Sequence, residues 1–207
     1  MRITLAQVAS ELGDLDANLA SAAQIVRQAA AARSDLVVFP ELFLTGYALG
    51  RVDEDVSLSA DDERLTKLGA ITHADVLIGL YEDGLGVHNY NSAAYYDANG
   101  LVHSHRKLYL PTYDVFEERK HFSPGQSMRA YDTRHGRMAT LICNDAWQPH
   151  LAFLAVQDGA REIGLDVAER AGDLSEGDPH GGARLLGGVG PCRTALRHCY
   201  PRRSQGD

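Results

Sequence analysis

Cysteine, lysine and tryptophan are all rare in this chain, and each scarcity narrows what it can be. Three cysteines in 207 residues form an odd set without metal-ligand spacing. That argues against a disulfide scaffold and fits free thiols in a reducing, cytoplasmic setting. Lysine occurs only at Lys67, Lys107 and Lys120, so a lysine at a strand end is not routine surface decoration. The formal charge of −8 argues against a nucleic-acid or anionic-membrane surface. No apolar run reaches membrane-spanning length, and Arg2 leads straight into an alternating strand instead of a secretory leader. What remains is the composition of an ordinary soluble globule, 44% hydrophobic and 23% charged, with a length that suits one domain and a large core.

The order of elements can be read from periodicity. Residues 2–9 alternate as a strand, and 16–33 carry Leu19, Ala22, Ala23, Val26, Ala29 and Ala30 at helical spacing, with Asp14 or Asp16 available as a cap. The continuous run Leu36–Phe39 reads as a strand buried on both faces and stopped by Pro40. A second helix is expected over 60–72, and strands over 76–81, 91–96 and 101–108, the last two joined by a turn at Asp97-Ala98-Asn99-Gly100. Two more strands, 128–132 and 137–142, flank a turn at His135-Gly136, and a helix follows over 149–159. Alternating strands and helices that pass into a meander predict an α/β fold with a mixed sheet.

Three segments place a reactive side chain at the end of such a strand: Phe39-Pro40-Glu41-Leu42-Phe43-Leu44-Thr45-Gly46-Tyr47, Arg106-Lys107-Leu108-Tyr109-Leu110-Pro111, and Leu141-Ile142-Cys143-Asn144-Asp145-Ala146-Trp147. A thiol is only a few per cent thiolate at neutral pH and needs a base or cation before it can attack a carbonyl or nitrile carbon. Glu41 can take the thiol proton and return it to the leaving nitrogen. Lys107 can favour the thiolate and stabilise an oxyanion, with the Asn144 backbone N–H as a second donor. The reaction so assembled is thioester formation from an amide, followed by hydrolysis.

These segments resemble the nitrilase superfamily of carbon–nitrogen hydrolases, whose pattern has Glu in Phe-Pro-Glu before Gly-Tyr, Lys before Leu-Pro, and Cys in Ile-Cys-x-Asp. Gln7, Asn18 and the stretch from Val115 to Phe122 are also similar. The resemblance covers about residues 1–160. It implies an α-β-β-α sandwich, normally dimeric or higher, and assigns Glu41 as general base, Lys107 as oxyanion-stabilising group and Cys143 as nucleophile. A second glutamate matches Glu118, with Glu117 one residue away, and Tyr47 and Asn144 are supporting residues. The implied substrate is a small amide, with a nitrile as the other option, and neither metal nor organic cofactor is required. Two rivals carry the same fold: a non-catalytic scaffold, and a glutaminase module that supplies ammonia to a synthetase.

The tail breaks the pattern. Residues 161–207 contain no Phe or Trp, only Tyr200 among tyrosines, and much Gly and Arg. The expectation is a domain over 1–160 and an atypical, poorly ordered tail that reads as a frameshifted or replaced end. Within it, 166–174 is expected as a short helix and 178–190 as loop. Cys192 and Cys199 suggest no site. His103 and His105 share one face of a strand, read as exposed and not metal-binding. The segment Gly84-Leu85-Gly86 reads as a hairpin loop, and Asp53-Glu54-Asp55 and Asp61-Asp62-Glu63 as solvated acidic surface.

Overall fold

Strand β2 (Leu36–Val38) shows how the chain builds two apolar layers at once. Successive strand residues face opposite sides, and all three side chains here are buried. Leu36 and Val38 join Leu77, Tyr95, Tyr131, Met138 and Ile142 in one core. Val37 joins Ile25, Val26, Val76 and Ile78 in another. The computed structural model describes residues 1–166 apart from 53, 85, 114 and 115, together with 184–187.

Strands β1 (Ile3–Gln7) and β3 (Asp75–Asp83) flank β2 in parallel. Strands β4 (Asn89–Asp97) and β5 (Gly100–Arg106) continue from β3 as an antiparallel meander. Helices α1 (Leu15–Ala31) and α2 (Glu63–Ala70) cover the outer face of this sheet. A second sheet has the order β6-β7-β8, formed by β6 (Ala130–Thr133), β7 (Gly136–Ile142) and β8 (Glu162–Asp166), with β7 antiparallel to β6 and parallel to β8. Helix α3 (Pro149–Gln157) packs on its outer side through a cluster of Ala130, Ala139, Ala155 and Ala160. The layers are therefore α-β-β-α. No described helix is long and apolar enough to cross a membrane.

Local chemistry fixes where the elements start and bend. Asp14 is the cap of α1, its carboxylate accepting the Ala17 N–H at 2.9 Å. Asn18, nearly inaccessible on the same helix, donates its side-chain amide to the carbonyls of Glu11 at 2.7 Å and Leu44 at 3.0 Å. It thereby ties α1 to the loop after β2. That loop turns tightly: Leu42 adopts φ +52°, and the Gly46 N–H reaches the Leu42 carbonyl at 2.8 Å.

Beyond residue 160 the described residues include two short strands. Residues 162–166 form β8, paired with β7 from Met138↔Glu162 to Ile142↔Asp166. The strand lacks a Val/Leu/Ile run because it packs through a glycine: a Cβ on Gly164 would meet Leu77 Cδ2 at 3.1 Å, while Ile163 is partly exposed. Asp166 ends this strand instead of starting a helix, and the rest of 166–174 lies outside the described residues. Within 178–190, expected as loop, Arg184–Gly187 forms β9, antiparallel to β1 and at the edge of the first sheet. Four residues held by backbone pairing give too short a stretch for alternation to register. The remaining positions of the tail, with Cys192 and Cys199, lie outside the described residues, as do Asp53, Leu85, Asp114 and Val115.

Gly79 in β3 lies under the Pro40–Leu42 bend, where an added Cβ would stand 2.4 Å from the Leu42 nitrogen and 2.5 Å from the Pro40 carbonyl oxygen. Both are backbone atoms and cannot swing aside. Gly79→Ala is therefore expected to lower stability by about 1–3 kcal/mol, the usual range for an overpacked core. Urea denaturation measures this, and an unchanged midpoint would contradict the close approach.

Candidate active site

Three strand ends deliver their side chains to one buried cluster. Glu41 follows β2, Lys107 follows β5, and Cys143 follows β7 at the head of a short 3-10 turn, Cys143–Trp147. Lys107 is completely buried, and its ammonium donates to Glu41 Oε1 at 2.6 Å and Glu118 Oε1 at 2.7 Å. Glu118 opens a 3-10 turn and is itself buried. Its neighbour Glu117 instead pairs with Lys120 in a contact exposed to solvent. The choice between the two glutamates thus falls on Glu118.

The Tyr47 hydroxyl donates to the same Glu118 oxygen that Lys107 holds. Burial, then the Glu118 charge, raises the Tyr47 phenol above its ordinary value, so it stays a neutral donor. Burial also pushes the Glu118 carboxyl up, against the pull of Lys107 and the Tyr47 hydrogen bond. For Lys107 the balance runs the other way. Burial pulls its ammonium down, but Glu41, Cys143 and Glu118 outweigh that and hold the side chain above its ordinary value, charged.

Cys143 adopts φ +43°, a left-handed conformation that a non-glycine residue enters at a cost of about 1 kcal/mol or more. This sharp step from strand to 3-10 turn brings Cys143 close enough to Glu41 for the two groups to interact. Burial, then the Glu41 charge, pushes the thiol up to about 12, and the lowering effect of Lys107 does not compensate. Lys107 was expected to favour a thiolate, but its charge is already committed to two carboxylates. The resting Cys143 side chain is a neutral thiol beside a carboxylate. Among the described residues Glu41 Oε2 has no hydrogen-bond partner, which leaves it open to receive the thiol proton.

Two site residues escaped the sequence reading in these roles. Asn91 on β4 is buried and donates its amide to Glu41 Oε1 at 2.7 Å. Asp145, also buried, accepts the backbone N–H groups of Leu108 at 3.1 Å and Tyr109 at 2.9 Å, and lies 3.1 Å from His105 Nε2. It locks the lysine loop to the cysteine turn. Asn144 adds to that lock through its side chain, which donates to the Tyr109 carbonyl at 3.1 Å. His103 and His105 share one face of β5, as the sequence implied, but that face is interior. His105 is buried against Asp145, and His103 stacks on Tyr131 with ring centroids 4.5 Å apart. The expectation of an exposed histidine face fails because the second sheet covers it. The signal was available: Asn91 and Ser92 interrupt a strand otherwise rich in Ala and Tyr, and polar groups in a covered strand require partners.

A four-layer α/β sandwich with Glu, Lys and Cys converging at its strand ends is the architecture of a hydrolase. The carbon-nitrogen hydrolase family profile matches residues 2–171, and the chain belongs to that family. A glutamine-dependent NAD(+) synthetase of Thermotoga maritima is 35% identical over 153 residues, covering 72% of this chain and 26% of that protein. N-carbamoylputrescine amidase of Arabidopsis thaliana is 28% identical over 156 residues, covering 71% and 52% respectively. In fold, the chain is similar to an amidase from Nesterenkonia sp. AN1 solved with acrylamide added at its active site cysteine. The TM-score there is 0.74 at 22% identity, over 84% of this chain and 70% of that one. This chain thus spans between about a quarter and a half of the length of the two curated relatives.

Two outcomes are expected from this electrostatic arrangement. Lys107→Met leaves two buried carboxylates facing each other and should cost about 3–5 kcal/mol, the range for breaking a buried ion pair. Adding Glu118→Gln should recover part of that loss in chemical denaturation. In a Cys192→Ser/Cys199→Ser background, the ultraviolet thiolate band should be absent at pH 9 in the folded protein and present after unfolding in urea. The reason is that the folded thiol is held near 12, whereas a free one ionises near about 8.5. A thiolate band at pH 7 in the folded protein would overturn the neutral-thiol assignment.

Proposed function

We propose that the chain hydrolyses a carbon–nitrogen bond of a small amide, with Cys143 as nucleophile, Glu41 as general base and acid, and Lys107 as oxyanion-stabilising cation. The observation that carries this reading is the buried Lys107 ammonium bonded to both Glu41 and Glu118 with the Cys143 thiol facing Glu41. Sulfur attacks the carbonyl carbon while its proton passes to Glu41 Oε2. The carbonyl π electrons move to oxygen, where Lys107 and the Asn144 backbone N–H stabilise them. The intermediate collapses, the C–N bond breaks, and Glu41 returns the proton to the departing nitrogen, leaving a thioester and ammonia or an amine. Water then gives a proton to Glu41 and its oxygen to the thioester carbon. The sulfur leaves and is reprotonated, so the free acid departs and the site is restored.

A second reading is favoured by the Thermotoga maritima relative: the amide is glutamine, and the ammonia serves a synthetase. Both readings share the thioester. The reduced thiol suits a cytoplasmic setting, and we read the exposed Phe153, Leu154 and Val156 of α3 as the surface of a homodimer or higher oligomer.

The test is intact-protein mass spectrometry during turnover of glutamine and of simple aliphatic amides. An acyl adduct on Cys143 that vanishes in Cys143→Ala, with ammonia release falling by at least about a thousandfold, is expected for loss of a covalent nucleophile. Turnover of glutamine alone favours the glutaminase reading, and turnover of simple amides favours the free-standing amidase. Ammonia release that survives Cys143→Ala would sink the mechanism, and a chain inert to both would favour a scaffold.

A further inference from the structure

We propose that Asn91 is a positioning residue that decides which oxygen of Glu41 acts as base; the inference rests on the function proposed above. Glu41 Oε1 carries two donors, Lys107 Nζ at 2.6 Å and Asn91 Nδ2 at 2.7 Å. A single ammonium contact lets a carboxylate pivot, because the two oxygens are equivalent to a point charge. A second donor arriving from another strand removes that freedom. With Oε1 saturated, the buried and unpartnered Oε2 is the acceptor left for the thiol proton.

The amide can act only in this sense. Reversing it would set its carbonyl oxygen against a carboxylate oxygen, so Nδ2 faces Glu41 and Oδ1 is left without a partner. The same residue also holds the cation, since the Lys107 backbone N–H donates to the Asn91 carbonyl at 2.8 Å. Asn91 therefore fixes the base through its side chain and the lysine strand end through its main chain. Only the first of these depends on residue type, which makes it separable by substitution.

The probe is iodoacetamide, with alkylation of Cys143 followed by peptide mass spectrometry across pH in wild type, Glu41→Gln, Asn91→Leu, Asn91→Ala and the Glu41→Gln/Asn91→Leu double variant. Glu41→Gln should slow Cys143 alkylation by at least about tenfold, as loss of a positioned base does. Asn91→Leu should slow it by a similar factor, about tenfold, yet by less than about twofold when Glu41 is already Gln, because the residue acts through that carboxylate. Asn91→Ala removes the donor without adding a carboxyl beside Glu41 and should behave as Asn91→Leu does, covering the case in which leucine prevents folding. Alkylation of Asn91→Leu or Asn91→Ala at the wild-type rate, with Glu41→Gln slow, would overturn the role of Asn91 alone. Full additivity in the double variant, or failure of both Asn91 variants to fold, would also overturn it and make Asn91 a stability residue. If Glu41→Gln alkylates normally, the general-base reading is what fails.

Discussion

A lysine ammonium with no exposed surface is the constraint around which the rest of this structure is arranged. Moving such a charge out of water costs several kcal/mol, and it is tolerable only where opposite charges and hydrogen bonds surround it. Lys107 meets that condition with Glu41 on one side and Glu118 on the other. Each carboxylate then needs its own support, which Asn91 gives to Glu41 and Tyr47 to Glu118. The demand of one buried cation thus recruits residues from the end of β2, from β4, from the end of β5 and from the loop that follows it.

The cysteine is attached to this cluster less directly. Its position is set by the chain on either side. Asp145, two residues on, turns back to gather the N–H groups of Leu108 and Tyr109, immediately beyond Lys107. The sheet-to-sheet contact is therefore sealed by a carboxylate that takes no part in the cation's own network. This explains how Cys143 can be held in register with Glu41 across two different sheets. The same contact buries His105, so a histidine that alternation alone would leave facing solvent is interior.

Much of this was legible in the sequence, for reasons that differ from residue to residue. Glu41 and Cys143 stand at the ends of apolar runs and Lys107 just past an alternating strand, and strand ends are where a layered sheet presents its side chains. Sequence position alone could not separate Glu118 from Glu117, because adjacent residues on a short 3-10 turn differ only in which one faces inward. Asn91 stood out as a polar residue in a strand rich in Ala and Tyr, but its partner Glu41 lies beyond another strand and could not be read from position alone. The short strands at 162–166 and 184–187 were missed because pairing by backbone leaves little trace in hydrophobic pattern. The direction of the Cys143 shift was also out of reach, since it depends on how many charges share one cavity.

That charge count bears on the proposed chemistry as a whole. At rest the site holds two carboxylates, one ammonium and a neutral thiol, a net charge of one negative unit by formal counting. Ionising Cys143 in advance would add a second negative unit to a buried space, which is why the thiol keeps its proton. Transferring that proton to Glu41 as sulfur attacks avoids the difficulty. The negative charge leaves Glu41 and reappears on the substrate oxygen, so the total does not change. On this reading Lys107 exchanges one anionic neighbour for another without leaving its place, and the environment need not reorganise as charge develops. On the proposed chemistry the proton moves as sulfur attacks, without a pre-formed thiolate, and the scaffold that keeps Lys107 buried is also what makes that transfer the least costly route.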